Sequence, residues 1–223
     1  KATLVRSTTG DGTTTGATRV ADTHSSGQGN NLGGAYAYSF DGSNDYVRHA
    51  DDTFDFDKDD AFSISWWFKS PANEFKTWAS NLQGGTGATA RGWWIRCNNG
   101  TRDVEFVLSS NWDNNKIKCG FSDNDSNSTV NIYDGNWHHA VGVVDRSSSI
   151  MKLYLDGVFQ SEANISAVGS LDTQIPFSIG NLDRGTYGET SEFFNGFIDD
   201  VRIVNTAIDA SLVRMSANTV VLD

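Results

Sequence analysis

The stretch Ala61–Lys69 constrains this chain more than any other. Phe62, Ile64, Trp66 and Phe68 alternate there with Ser63, Ser65, Trp67 and Lys69. A period of two puts four large apolar groups on one side of an extended strand, a pattern that fits no helix. The same rhythm recurs in shorter pieces at Ala35–Phe40, Tyr46–Arg48, Gly92–Cys97, Asp103–Ser109, Lys116–Gly120, Trp137–Asp145, Met151–Leu155, Pro176–Gly180 and Gly196–Val204, separated by Gly, Asn, Asp and Ser clusters. Asp156-Gly157, between Met151–Leu155 and Val158–Gln160, carries the signature of a two-residue type I′ hairpin. Only Asp209–Ser216 has a helical pattern. Many short strands with no strand-helix-strand rhythm predict an all-β fold: a two-sheet antiparallel β-sandwich with one short C-terminal helix.

A chain of 223 residues in this class is expected to form one domain. Residues 1–30, with the runs TTGDGTTTGAT and HSSGQGNN, read as an extended Thr/Ser/Gly-rich arm or linker through which a protein partner could be held. The sandwich is expected over 31–216, followed by a tail over 217–223. The formal net charge of −11 repels a phosphate backbone, so a nucleic-acid partner is not expected. No apolar run approaches the roughly 20 residues that span a bilayer. Cys97 and Cys119 are the only cysteines, which leaves either one bridge or two free thiols open. His138 and His139 alternate faces on a strand. The expectation is one packed beside Trp137 and one solvated, neither acting as base or ligand.

Four segments taken in order carry a family resemblance. Gly33–Val47 resembles the opening of laminin-G-like domains in the concanavalin A-like lectin/glucanase jelly-roll superfamily. Phe62–Lys69 is similar to the next core strand. Asp134–Val141 with Leu153–Gly157 looks like the central hairpin pair, and Phe194–Ile203 followed by Ala207–Val213 like the last long strand and its helix. The resemblance spans roughly 31–215 and implies a curved jelly roll. That fold hosts lectins, carbohydrate-binding modules, glycosidases and adhesion domains, so activity has to be argued from the site.

Glycosidases of the superfamily carry two Glu flanking an Asp on one strand, which holds acid and nucleophile on one face. Glu74, Glu105, Glu162, Glu189 and Glu192 offer no such pair. For metal, Phe197, Asp199, Val201 and Ile203 fall in one phase, which would place a carboxylate on the core side, where it needs a base such as Arg48 or a cation. By resemblance, Asp41, the carbonyl of Gly42 and Asp199 match the positions of a structural Ca²⁺. Seven tryptophans exceed what a core of this size needs, and sugar rings stack on such side chains. Trp67, Trp78, Trp94 and Trp112, with Asn181 and Tyr187, form the expected ligand platform. The reading is a non-catalytic, calcium-stabilised module, extracellular or on a particle surface, that binds a glycan or another cell-surface ligand. Its alternatives are a coat, fibre or decoration protein of a virion or cell surface, and a divergent glycosidase.

Overall fold

A computed structural model describes residues 12–21, 36–49, 54–71, 76–84, 90–98, 103–111, 116–122, 131–173, 175–183 and 192–217. Two antiparallel sheets of seven strands each face one another. The first contains β1 (Gly12–Thr15), β4 (Tyr46–His49), β13 (Phe177–Ile179), β6 (Lys76–Gln83), β7 (Arg91–Asn98), β8 (Asp103–Ser109) and β9 (Lys116–Ser122), in that spatial order. The second runs β12 (Val158–Asn164), β11 (Ile150–Leu155), β10 (His138–Asp145), β5 (Phe62–Lys69), β14 (Asn195–Val204), β3 (Tyr36–Asp41) and β2 (Thr18–Ala21). A single helix, α1 (Ala210–Ala217), follows β14. The β-sandwich with one short C-terminal helix is thus observed.

The core lies between the sheets and is strongly aromatic. Phe62 of β5 stacks on Phe56 at 3.9 Å and reaches across to Trp93 and Phe106 at 5.8 and 6.3 Å. Trp66 and Phe68 meet Trp78 of the opposite sheet at 5.9 and 4.7 Å. Each such ring contributes on the order of 2–3 kcal/mol by leaving water. Gly142 of β10 sits directly over Phe106, and a β-carbon there would lie 2.7 Å from the ring, so glycine lets the two sheets close. Asp156 and Gly157 both have positive φ, 49° and 77°, as the expected type I′ turn requires.

Three stretches differ from the sequence reading. Residues 12–21, expected within an arm, form strands: β1 pairs with β4 in the first sheet and β2 with β3 in the second. Threonine, abundant there, suits an exposed edge strand as well as a linker. The rest of the expected arm lies outside the described residues, as does the expected tail over 217–223 apart from Ala217, which ends α1. β6 has no alternating pattern, because a bulge between Thr77 and Ala79 turns both Trp78 and Ala79 inward while Thr77 and Ser80 point out. In β14, a bulge between Asp199 and Arg202, with Asp200 at φ 49°, switches the phase. Ile198 before it and Ile203 after it both enter the core. Phe197 and Asp199 therefore lie on the outer face, so no carboxylate is forced inward. The Cys97 thiol is buried, and burial pushes its pKa up to about 11. Cys97 pairs with Val104 of β8, whereas Cys119 pairs with Phe106 on the far side of that strand. Two strand spacings, about 9.6 Å, exceed the reach of a disulfide.

Candidate functional site

The outward face of the first sheet gathers most of the polar side chains held in place by the fold. Strand register lays one row across it: Arg48, Ser178, Ser80, Trp94, Val107 and Lys118. The next row is Thr77, Arg96 and Glu105. These residues alternate with core residues on the same strands, so the pleat itself delivers them to one surface.

Glu105 is buried and bridges two cations. Its carboxylate accepts from Arg96 Nε at 3.1 Å and from Lys118 Nζ at 2.5 Å. Burial alone would push this carboxyl up, but Lys118 and Arg96 outweigh it and hold it below its ordinary value. Glu192 accepts from the Thr77 hydroxyl at 2.6 Å and lies 3.9 Å from Arg96. A carboxylate fixed in its ionised form by two cations cannot serve as the general acid of glycoside hydrolysis.

At the other end of the first row, Arg48 forms an ion pair with Asp183. Its guanidinium lies over the half-buried Tyr46 ring, 5.0 Å from the centroid. Segment 180–183 crosses this row. Ser80 Oγ donates to the Asn181 carbonyl at 3.0 Å, and the Ser178 hydroxyl bonds the Asn181 side-chain oxygen. Among the described residues, Arg48 Nε and Asn181 Nδ2 are buried with no hydrogen-bond partner.

The expected platform is dispersed rather than assembled. Trp78 belongs to β6 and is 1% exposed in the core. Trp94 does face outward but is 1% exposed under Leu82, Val107 and Leu182. Trp67 lies on the outer face of the second sheet, 6% exposed, with its ring 4.9 Å from that of His139. Burial leaves none of these three rings open for stacking. Asn181 does sit on the first-sheet face, though fully buried. Trp112 and Tyr187 lie outside the described residues.

The expected calcium ligands also separate. Asp41 pairs with Asn195, and Asp199 lies four residues further along β14, about 13 Å at the strand rise, so the two cannot share one ion. Asp41 Oδ1 instead accepts from Ser43 N at 2.8 Å, and the Gly42 carbonyl accepts from Lys76 Nζ at 3.3 Å. Among the described residues, no three His, Cys, Asp or Glu side chains converge as metal ligands.

His138 and His139 are both buried, contrary to the expectation that one is solvated. His138 Nδ1 meets Asp156 Oδ2 at 2.8 Å and Nε2 meets Asp134 Oδ1 at 3.2 Å. A neutral imidazole has a single N–H, so only the imidazolium donates to both carboxylates. Burial lowers the His138 pKa, but Asp156 and Asp134 together raise it above the ordinary value.

Two facing antiparallel seven-stranded sheets, one with a polar outer face, define a jelly-roll β-sandwich. The sequence agrees: the chain belongs to the family described as the concanavalin A-like lectin/glucanases superfamily, whose laminin-G-type profile matches residues 41–214. No curated protein matches the chain. Among solved structures, the binding domain of Paraclostridial Mosquitocidal Protein 1 is similar at 18% identity and TM-score 0.68, covering 92% of this chain and 46% of that one. The botulinum neurotoxin serotype D ligand binding domain in complex with N-acetylneuraminic acid is similar at 16% identity and TM-score 0.61, covering 90% and 45%. The serotype G binding domain follows at 15% and 0.61, covering 97% and 46%. The chain spans less than half the length of these neighbours, and identities this low speak for the fold alone.

Missed by sequence reasoning were Tyr46, Arg48, Arg96, Glu105, Lys118 and Asp183. A signal was present for two of them: Arg96 and Glu105 sit out of phase with the core residues Ile95, Cys97, Val104 and Phe106 on adjacent strands.

Proposed function

We propose that this chain is a non-catalytic carbohydrate-binding module of a secreted or surface protein, and that it takes its ligand on the outer face of the first sheet around Tyr46 and Arg48. The carrying observation is the part-exposed Arg48 side chain, whose guanidinium lies over the half-buried Tyr46 ring and so sets N–H donors beside an apolar ring on this face. The Arg48 guanidinium offers N–H donors to the oxygens of a hydroxyl-rich ligand, and the Tyr46 ring offers an apolar edge for a sugar. The neutralised state of Glu105 supports binding without hydrolysis. A neighbouring toxin domain bound to N-acetylneuraminic acid is consistent with this reading.

A glycan array with the purified chain, followed by calorimetry on the best ligand, tests it. Retention of at least one glycan, with affinity reduced tenfold or more by Tyr46→Ala, is expected. A folded protein that retains no glycan overturns the reading.

One observation favours a second role, protein contact. The large apolar side chains most exposed among the described residues are Val158, Phe159, Leu212 and Met215. They belong to β12 and α1, which meet where Gly157 approaches Arg214 and Ala217.

A further inference from the structure

A proton count at the opposite edge of β6 carries an inference independent of the glycan reading. Asp55 precedes β5, Asn81 lies on β6, and Thr173 ends segment 171–173, ahead of β13 in the chain. The Thr173 hydroxyl oxygen lies 2.9 Å from Asp55 Oδ1 and 2.7 Å from Asn81 Oδ1. Asn81 Nδ2 donates to the Ile175 carbonyl at 3.2 Å. One hydroxyl carries one hydrogen, so it cannot satisfy two acceptors. Turning the Asn81 amide over would set its oxygen against the Ile175 carbonyl and exchange one clash for another. Thr173 and Asn81 are 1% and 0% exposed, which keeps bulk water from intervening. The assignment without an acceptor-acceptor contact runs Asp55 O–H to Thr173 Oγ1, Thr173 O–H to Asn81 Oδ1, and Asn81 N–H to Ile175 O.

We propose that Asp55, Thr173 and Asn81 form a proton-storing latch, in which Asp55 is a carboxylic acid in mildly acidic solution and its ionisation loosens segment 171–173 from β6. The charged neighbour bearing on Asp55 is Asp172 of the same segment, whose charge further disfavours ionisation. β6 presents the neutral Asn81, and His49 of β4 packs edge-on to the adjacent Phe54 at 5.2 Å. Burial is the largest influence and pushes the Asp55 carboxyl up to about 6, against the side-chain and backbone hydrogen bonds of Thr173 and a weaker one of the Asn81 side chain. Between about pH 4 and 6 the folded chain holds a proton that the unfolded chain has released, so stability from this group falls as pH rises through that window. The segment precedes β13 and segment 180–183 in the chain, so the latch is placed to set the order of the outer face.

Two measurements test the latch. Carboxyl carbon NMR of the unaltered chain should give Asp55 a titration midpoint near 6, and a midpoint near or below 4 overturns the proposal. Asp55→Asn keeps a donor toward Thr173 at every pH. It should raise Tm by about 3 °C or more at pH 7.5 and by only about a third as much at pH 4.5. A lowered Tm at pH 7.5 would mean that an ionised Asp55 is the native form, and that also overturns the proposal.

Discussion

The two sheets share one core and turn opposite kinds of surface away from it. The first sheet's outer face is a charge-paired polar lattice, with Glu105 between Arg96 and Lys118 and with Arg48 on Asp183. The second sheet's outer face is largely apolar. Val141, Val143 and Tyr154 are covered by Val213 of α1, and Trp67 lies against His139. Ser63 fixes that cover: its Oγ donates to the Thr206 carbonyl at 2.8 Å and accepts from Ile208 N at 3.0 Å. An apolar face tolerates an approximate lid, because burial is non-directional. A charged face must match every group, since one missing partner strands a desolvated charge.

Four substitutions sharpen this contrast, in falling order of effect. Trp94→Ala removes the apolar centre of the polar face and is expected to cost about 3–5 kcal/mol in urea unfolding. A loss below about 1 kcal/mol would mean that Trp94 is not packed under Leu182. Glu105→Ala leaves Arg96 and Lys118 facing each other, and the expected cost is about 2–3 kcal/mol, reduced from a fully buried pair because Lys118 reaches solvent. Unlike the Trp94 loss, it should shrink in 1 M salt. Val213→Ala takes two methyls from beneath the helix and should cost about 1.5 kcal/mol without salt dependence. His138→Gln tests the clamp at the edge of the second sheet. Because the folded pKa of His138 is raised, its contribution is complete below the unfolded value of about 6.5 and is lost as pH rises through the folded value. The parent Tm should therefore decline above pH 6.5 while the variant stays flat. That window lies above the one assigned to Asp55, so the two titrations separate.

Most of the strands were legible because alternation reports a face buried on one side only. Phe62–Lys69 shows it fully, and the fold class followed from repeating that pattern. β6 was illegible because it is buried on both faces and bulged: Thr77, Ser80 and Asn81 are polar yet enclosed, so the sequence resembles a loop. Asp199 misled for the opposite reason. Simple alternation through β14 assumes no bulge, and the extra residue near Asp200 moves Asp199 from the core side to the outside. The proposed binding face was mostly hidden because its members come from β4, β7, β8, β9 and segment 180–183, and become neighbours only through the sheet order. Tryptophan count was a poor guide, since Trp66, Trp78, Trp93 and Trp94 are used in packing.

The ten residues from Gly12 to Ala21, which hold β1 and β2, have a consequence for how the module can be cut. One short ribbon, turning at Gly16 with φ 71°, lays its first strand along β4 and its second along β3. It closes the same side of both sheets at once. A version trimmed to begin after residue 30 would expose two unpaired strand edges together, at Tyr46–His49 and Tyr36–Asp41. Open edges recruit strands from other chains. The trimmed module is therefore expected to keep its core and lose its solubility, so a boundary for recombinant work belongs before Gly12.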